Sequence, residues 1–285
     1  MIRMQNIHFQ YGRKLLFAGL NLEIPQGNIY GLLGMNGAGK TTLLKLLSGQ
    51  LFPSIGTTSV LGFDPTKRNP AMLEEVFHLP EEFSLPRMRA SEYLKIQAPF
   101  YPRFDKAAFD RYCIDFDLDL AQRINEYSFG QKKKLLLSFG LASGTSLLIL
   151  DEPTNGLDIP SKSQFRRTVA SAMTENRTFI ISTHQVRDME NLIDPIIILH
   201  NGRVVFHNSL EAVSAQYTSR LERNEPEGDS VVFKEKVPGG WNVMCERASQ
   251  EEETQIDLET LFNAVVSKPG AFGSTSAKGP QGGVK

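Results

Sequence analysis

The sequence predicts an α/β fold built on a mainly parallel sheet, and two observations carry that prediction. First, residues 147–150 and 178–182 are short, continuous apolar runs, which are typical of strands buried on both faces. Second, the intervening segment 161–174 has helical spacing, and alternation of strand and helix is the pattern of a parallel sheet with helices on its faces. The 41% apolar content is enough to build a proper core in a chain of 285 residues.

The first part of the chain predicts strands rather than helices. Segments 2–9, 20–24 and 29–33 have strand-like patterns, and turns that contain glycine and proline separate them. We therefore expect an N-terminal antiparallel β-layer that leads into a glycine-rich loop.

A helical insertion subdomain is predicted over about 84–143. Strand signals are absent there, and helical stretches at 90–97 and 106–116 take their place. Strands return after this region. The strands of the predicted sheet therefore come from two parts of the sequence, one before this insertion and one after it.

The C-terminal part of the predicted core is a hairpin. Apolar runs at 196–199 and 204–206 flank Asn201 and Gly202, and Asn-Gly is the strongest two-residue hairpin signal. Beyond it the composition becomes polar, with proline and glycine, and the last residues are rich in glycine, serine, proline and lysine. We predict a main domain over 1–220, a linker over 221–230, a small appendage over 231–267 and a disordered tail over 268–285.

Within the appendage we expect two strands, at 231–236 and 241–245, and a helix at 257–266. The helix has an aspartate at its predicted N-cap and an apolar face.

Composition and charge narrow the classes of function. The net charge of −1 produces no overall attraction to nucleic acid or anionic lipid. Cys113 and Cys245 are far apart and lack a metal-ligand spacing, which favours two reduced thiols in a cytosolic protein. The N-terminal residues have no apolar signal core, and the apolar runs are too short to span a bilayer. Any membrane role is therefore expected to depend on a partner.

The most informative segment runs from Gly34 to Thr42 and fits the pattern G-x-x-x-x-G-K-[ST] at every fixed position. Glycines keep side chains away, so backbone N–H groups can wrap phosphates, and the positive end of the following helix points at them. Lys40 would neutralise the β- and γ-phosphates, and Thr41 would bind Mg²⁺. The segment predicts a P-loop NTPase core whose triphosphate-binding residues are Gly34, Asn36, Gly37, Ala38, Gly39, Lys40, Thr41 and Thr42.

Two acidic residues follow the apolar run 147–150. Asp151, at the carboxyl end of a buried strand, would bind Mg²⁺ directly or through water. Glu152 points elsewhere in such a strand and could polarise the attacking water. The pair therefore predicts nucleotide hydrolysis at the phosphate loop.

Three further segments make residues 2 to about 215 resemble the ATP-binding-cassette (ABC) ATPases. Residues 151–158, Asp-Glu-Pro-Thr-Asn-Gly-Leu-Asp, are similar to the family's Walker B strand and D-loop, which places Asp158 in the D-loop. Residues 127–131, Tyr-Ser-Phe-Gly-Gln, resemble the family signature, commonly L-S-G-G-Q. His184 follows a strand and matches the family's switch histidine.

The resemblance implies a dimer. In the family the signature faces the γ-phosphate of an ATP held by the opposite subunit, and two chains pack head to tail around two ATP molecules. A chain with one cassette then implies a homodimer or a dimer with a similar cassette. The signature residues that would reach the partner's ATP are Ser128, Phe129, Gly130 and Gln131.

The resemblance also assigns roles around the nucleotide. Glu152, His184 and Lys40 would be the catalytic residues, with the histidine contacting the γ-phosphate. Tyr11 stands where the family has an aromatic residue that stacks on adenine, although Phe9 and Phe17 lie nearby. ATP and Mg²⁺ are the implied cofactors.

Two positions depart from the family pattern. Glu81 stands where the family has a glutamine, and our hypothesis is that it joins Thr41 and Asp151 as a metal ligand. Phe129 replaces a glycine of the signature, and its bulk would weaken dimer closure unless the ring points outward. The basic run 132–134 predicts a solvated helix face, with a local field that attracts the partner's nucleotide as the alternative.

The resemblance favours the motor subunit of an exporter-type transporter, lying on the inner face of the cell membrane through a separate permease. One alternative is a soluble ABC ATPase that acts on nucleic acid or ribosomes. Against it, the chain has one cassette, no sustained heptads between Lys40 and Asp151, and a charge that predicts no nucleic-acid partner. A slow regulatory cassette is a third reading, which the intact Lys40, Asp151, Glu152 and His184 argue against.

Overall fold

The computed structural model describes residues 1–248 and 254–272. The strands are β1 (Ile2–Tyr11), β2 (Lys14–Ile24), β3 (Ile29–Leu33), β4 (Ile55–Val60), β5 (Val76–Leu79), β6 (Leu147–Asp151), β7 (Thr178–Thr183), β8 (Ile196–His200), β9 (Arg203–Asn208), β10 (Tyr217–Glu222), β11 (Val231–Val237) and β12 (Gly240–Glu246). The helices are α1 (Lys40–Leu47), α2 (Pro70–Leu73), α3 (Ala90–Gln97), α4 (Lys106–Asp115), α5 (Phe129–Ala142), α6 (Ile159–Ser171), α7 (Leu210–Ser214) and α8 (Leu258–Ser267).

The largest sheet has six strands in the order β5-β6-β7-β3-β8-β9. The first five pair in parallel, and β9 pairs antiparallel with β8 through the predicted hairpin. All residues of β3, β6 and β7 are buried, as expected for strands covered on both faces. The mainly parallel sheet is therefore present as predicted, with α6 between β6 and β7.

One strand of the predicted antiparallel layer belongs to this sheet instead. β3 lies near its centre, where Gly31 pairs with Ile181 of β7 and with Ile196 of β8. The antiparallel layer consists of β2, β1 and β4 in that order. The placement of 29–33 in the antiparallel layer was wrong because a continuous apolar run is the signal of a strand covered on both faces. β4 was missed because its first three residues are polar or exposed.

The helical region predicted over 84–143 contains α3, α4 and α5. Phe139 of α5 lies at the centre of an aromatic cluster, with ring centroids 5.0 to 6.5 Å from five neighbours. These neighbours are Phe77, Tyr93, Tyr101, Phe104 and Phe109. Because Phe77 lies on β5, the cluster joins the helical region to the parallel sheet.

The C-terminal appendage begins earlier than the sequence indicated. β10, β12 and β11 form a three-stranded antiparallel sheet in which Tyr217 pairs with Glu246 and Glu222 pairs with Trp241. β10 therefore covers the last residues of the predicted main domain and the first of the predicted linker. Its pairing partner is distant in sequence, and a mostly polar strand has no local signal for such a partner.

The appendage packs on the main domain rather than apart from it. Leu261 and Val265 of α8 are buried in the same apolar cluster as Ile198 of β8 and Phe206 of β9. The two predicted strands and the helix are present as β11, β12 and α8. Asp257 caps α8, since its side chain accepts a hydrogen bond from the Thr260 N–H at 2.6 Å. The prediction of a disordered tail was wrong for residues 268–272, because Phe272 is buried with its ring 5.2 Å from that of Tyr217. The rest of the predicted tail lies outside the described residues.

Both cysteines are buried and neither forms a disulfide, as the sequence predicted. Among the helices of residues 1–248 and 254–272, none has the length and apolar character needed to cross a bilayer.

Replacement of Phe139 by alanine tests the aromatic cluster. The variant Phe139→Ala should lower the free energy of unfolding by about 3 to 5 kcal/mol, because a buried ring is lost and a cavity is left. Urea unfolding measures this change. The control is Phe100→Ala, since Phe139 is 2% exposed and Phe100 is 66% exposed. Losses of equal size in the two variants would contradict a central position for Phe139.

Candidate functional site

A cleft of about 490 Å³ lies where the loops after β3 and β6 meet. Most of the predicted triphosphate-binding residues line it. Gly34 and Ala38 do not; the first supplies a carbonyl to Lys40 and the second is buried. The residues that line the cleft are Tyr11, Lys14, Leu16, Met35, Asn36, Gly37, Gly39, Lys40, Thr41, Thr42, Glu81 and Glu152.

The backbone of the loop requires glycine at two positions. Gly39, just before α1, has φ of 110°, in the left-handed region that side chains disfavour, and a Cβ there would lie 2.9 Å from the Phe17 ring. A Cβ on Gly34 would lie 2.6 Å from the carbonyl oxygen of Leu199. These glycines let the loop turn tightly into α1, whose first N–H groups then face the cleft.

Lys40 lies buried at the start of α1. Its Nζ donates a hydrogen bond to the carbonyl of Gly34 at 2.7 Å and lies 3.4 Å from Oε1 of Glu152. The ammonium is thus directed into the phosphate loop. It is a buried cation that an anionic ligand in the cleft would meet, and Lys14 also lines the cleft.

Glu152 is the most constrained acidic residue of the cleft. It is 3% exposed, and its φ of 47° places a glutamate in the left-handed region. Such strain persists where the surroundings determine the backbone, and it is concentrated at functional sites. The Ser182 hydroxyl accepts a hydrogen bond from the Glu152 N–H at 3.0 Å, and Nδ1 of His184 lies 2.9 Å from Oε1 of Glu152.

Asp151 has one oxygen with a partner and one without. The Ser182 hydroxyl donates to Oδ1, whereas Oδ2 is buried with no hydrogen-bond partner in the structure. A buried carboxylate oxygen of this kind is a ligand that Mg²⁺ accepts. Thr41 lines the cleft, whereas Asp151 is buried beside Glu152 and is not part of the lining. The described residues contain no group of three or more His, Cys, Asp or Glu side chains arranged to hold a metal. A Mg²⁺ bound by one or two carboxylates and by ligand phosphates needs no such group.

Tyr11 is at the edge of the cleft. Its ring is half exposed, packs edge-on against Phe9 with centroids 4.9 Å apart, and its hydroxyl lies 3.2 Å from that of Thr42. The ring therefore presents a free aromatic surface beside the loop.

Asn155 connects several loops of the site. Its Nδ2 donates to Oε1 of Glu81 at 3.0 Å, and its Oδ1 accepts from Nε2 of Gln185 at 3.4 Å. Asn155 follows β6, Glu81 follows β5 and Gln185 follows β7. The sequence did not indicate this role, although Asn155 is within the 151–158 segment.

The four predicted signature residues lie at the start of α5 and do not line the cleft of their own chain. Ser128 is the N-cap: its hydroxyl accepts from the Gln131 N–H at 3.1 Å, and the Gln131 side chain accepts from the Ser128 N–H at 2.9 Å. A Cβ on Gly130 would lie 3.2 Å from the carbonyl of Gly156. The segment is therefore a rigid helix start next to the loop after β6.

The Phe129 ring packs against its own chain. Its ring stacks on Phe83 of the same chain, with centroids 5.2 Å apart and planes 14° apart, and 49% of the residue is exposed. The side chain thus has an intrachain partner. Ser128, next to the stacked ring, is exposed.

The basic run 132–134 is not wholly a solvated face, and for Lys133 that prediction was wrong. Lys133 is 1% exposed, and its Nζ donates to the carbonyls of Glu152 at 3.0 Å and Asn155 at 2.9 Å. Lys133 is buried because its position on α5 faces the loop after β6. The local sequence of three consecutive lysines does not indicate which of them faces inward.

Asp158 is the N-cap of α6. Its Oδ1 accepts from the Ser161 N–H at 2.8 Å, and the hydrogen bonds from Ser161 lower the pKa of the carboxyl below its usual value. The residue is exposed, on the loop that also contains Gly156.

Comparisons with known proteins identify the family. The ABC transporter family matches residues 17–155. The ABC transporter ATP-binding protein NatA of Bacillus subtilis (strain 168) is 32% identical, over 81% of this chain and 95% of that protein. The Nod factor export ATP-binding protein I of Burkholderia orbicola (strain AU 1054) is 30% identical, over 93% of this chain and 86% of that protein. The chain belongs to the ABC transporter ATP-binding proteins.

The resemblance inferred from the motifs is thereby confirmed. A solved structure described as the ATP binding subunit of an ABC transporter has the same fold, with a TM-score of 0.69 and 24% identity over 75% of this chain and 92% of that one. The predicted P-loop NTPase α/β fold is confirmed with it. As a member of the family, the chain is an ATP-binding and ATP-hydrolysing subunit of an ABC transporter. This favours transport over the nucleic-acid or ribosome reading.

His78 of β5 provides a pH-dependent test of this region. Burial lowers the pKa of His78 to about 4, while Asp151 opposes the shift and Lys45 adds to it. Nδ1 accepts a hydrogen bond from Nε2 of Gln50 at 2.7 Å, so a neutral ring carries its proton on Nε2, which is buried without a partner. Protonation in the folded state would break this hydrogen bond.

The free energy of unfolding should therefore fall as the pH falls from about 6.5 to about 4, because the unfolded chain binds a proton in that range and the folded chain does not. At about 1.4 kcal/mol for each pKa unit, His78 contributes at most roughly 3 kcal/mol to this loss. Urea unfolding of the parent and of His78→Gln at pH 7 and pH 4.5 measures it. The same pH dependence in both proteins would refute the assignment to His78.

Proposed function

We propose that two copies of this chain close head to tail around two ATP–Mg²⁺ and drive a separate transmembrane permease that exports a substrate. The observation that carries the proposal is the position of Glu152, between the phosphate-loop Lys40 and His184. A buried carboxylate fixed in this way next to a triphosphate site is a general base for water. Hydrolysis would then reopen the dimer and return the permease to its first state.

Nucleotide binding would use the lining of the cleft. Backbone N–H groups from Asn36 to Thr42 would wrap the phosphates, and Lys40 would neutralise the β- and γ-phosphates. The half-exposed ring of Tyr11 would stack on adenine. An incoming triphosphate would compete with Glu152 for Lys40, which frees the carboxylate to accept a proton from water.

Three residues are proposed to hold Mg²⁺: Thr41 through its hydroxyl, Asp151 through its unpartnered Oδ2, and Glu81 from across the cleft. When bound, Mg²⁺ neutralises charge on the phosphate oxygens. Asn155 orients the Glu81 carboxylate by its hydrogen bond at 3.0 Å. His184 would contact the γ-phosphate and keep Glu152 in position.

The partner's ATP would be bound by the signature. Ser128, Phe129, Gly130 and Gln131 do not line the cleft of their own chain, which fits a role toward a second cassette. The stack of Phe129 on Phe83 supports this, because the bulky ring has a partner in its own chain while Ser128 stays exposed. Asp158 of the D-loop, at the start of α6, would lie at the same interface. A homodimer, or a dimer with a similar cassette, follows.

Export and membrane location rest on the relatives. One relative is described as a Nod factor export protein, and others as lantibiotic and bacitracin transport proteins. We propose that this chain is likewise an exporter subunit, bound at the inner face of the cell membrane through its permease and with no nucleic-acid partner.

The variant Glu152→Gln tests the proposed base. It should lower kcat for ATP hydrolysis by at least about 100-fold, because an amide cannot accept the proton, while ATP still binds and the closed dimer accumulates. Phosphate release measures kcat, and size-exclusion chromatography with ATP measures the dimer.

The control for this experiment is Lys40→Ala, which should lose tight nucleotide binding and form no ATP-dependent dimer. If Glu152→Gln hydrolyses ATP at the parental rate, Glu152 is not the base. If the parent itself neither binds nor hydrolyses ATP, the proposed function fails.

The variant Glu81→Ala tests the proposed metal ligand. It should raise the Mg²⁺ concentration for half-maximal hydrolysis by about tenfold, because loss of a group in or next to the metal shell weakens metal affinity. The matched control is Glu82→Ala, which removes the same charge from an exposed neighbouring position. A Mg²⁺ dependence that stays at the parental value in Glu81→Ala would exclude Glu81 as a ligand.

A further inference from the structure

The two departures from the family pattern, Glu81 and Phe129, are both connected to a third residue, Lys133. Its Nζ is buried and donates to the carbonyls of Glu152 at 3.0 Å and Asn155 at 2.9 Å. These carbonyls belong to the loop that follows β6. Lys133 therefore joins α5 to the segment that contains the proposed base.

Asn155 extends this connection to β5. Its carbonyl accepts from Lys133, and its side-chain amide donates to Oε1 of Glu81 at 3.0 Å. Asn155 thus links Lys133 to Glu81, the glutamate that stands in place of glutamine. Glu81 itself lines the cleft, whereas Lys133 does not.

The Phe129 ring lies against the lysine. The Nζ of Lys133 lies 5.2 Å from the centroid of the Phe129 ring, within the range of a cation–π contact. Phe83 stacks on the same ring. The Phe129 side chain therefore has two partners within its own chain, the Phe83 ring and the ammonium of Lys133.

The charges around Lys133 are opposite to its own. Burial lowers the pKa of Lys133, and Glu81, Glu152 and Asp151 oppose that shift. Removal of one charge from such a buried set leaves the remaining groups without compensation, which is far more costly than loss of an exposed ion pair.

We propose that Lys133 is a positioning residue for hydrolysis: through the carbonyls of Glu152 and Asn155 it holds the loop after β6, and so places Glu152 and Glu81 at the nucleotide. Because a glutamate in place of glutamine adds a negative charge to the site, Lys133 also offsets that charge. The inference rests on the proposed function, since it concerns the same ATP site.

The test is a double-mutant cycle on the full chain with Lys133→Met and Glu81→Gln. Phosphate release at saturating Mg²⁺ gives kcat and KM, and kcat is expressed per mole of bound fluorescent ATP analogue, so unfolded protein does not count. Lys133→Met should lower kcat at least tenfold and change KM less than threefold, because Lys133 does not line the cleft. In the Glu81→Gln background, the fold-decrease in kcat that Lys133→Met causes should be at least threefold smaller.

Two further variants complete the experiment. Lys95→Met removes the same charge from an exposed position of α3 and should leave kcat within twofold of the parent. If Lys133→Met binds no analogue, Lys133→Gln replaces it in the cycle, since its amide can still donate one hydrogen bond. A merely structural role would not be relieved by a change of charge at Glu81.

Each outcome of the cycle either supports or overturns the positioning role of Lys133. A kcat loss that Glu81→Gln partly relieves supports the positioning role. An unchanged kcat in both Lys133 variants, a change confined to KM, or effects of Lys133 and Glu81 that simply add would overturn it while the proposed function stands. A parent that binds no ATP analogue would overturn the proposed function, and the role of Lys133 with it.

Discussion

Burial of a carboxylate costs free energy of folding unless cations and hydrogen-bond donors surround it. In this protein the buried carboxylate is that of Glu152, and the residues around it have to meet this requirement. Lys40 and His184 lie within 3.4 Å and 2.9 Å of its Oε1, and its backbone N–H donates to Ser182. Its backbone is in the left-handed region as well. The arrangement persists only because the phosphate loop, β6 and β7 all converge on this residue.

The order of strands in the parallel sheet explains the convergence. β6, β7 and β3 are consecutive neighbours, with Asp151 paired to Ser182 and Thr183 paired to Leu33. The glycine-rich loop, the acidic pair Asp151 and Glu152, and His184 each lie at the carboxyl end of one of these strands. Since parallel strands end at the same edge of a sheet, segments more than a hundred residues apart in sequence meet in one cleft.

The contacts that surround Glu152 extend beyond the motifs. Asn155 links the loops after β5, β6 and β7, and Lys133 links the loop after β6 to the helix that starts with the signature. This set gives each departure from the family pattern a partner: Glu81 has Asn155, and Phe129 has Phe83 and the ammonium of Lys133. The substitutions at these two positions are therefore parts of one packed and charged group.

The sequence by itself determined the α/β class, the phosphate loop, the acidic strand end and the family, because these depend on local spacing and on short apolar runs. Only the tertiary structure decided that β3 lies at the centre of the parallel sheet, that β10 begins the C-terminal sheet, and that Lys133 is buried while its neighbours are not. Strand neighbours and the inward face of a charged helix are set by contacts between distant segments. No local pattern encodes those contacts, because the free energy that selects them arises only when the segments pack together.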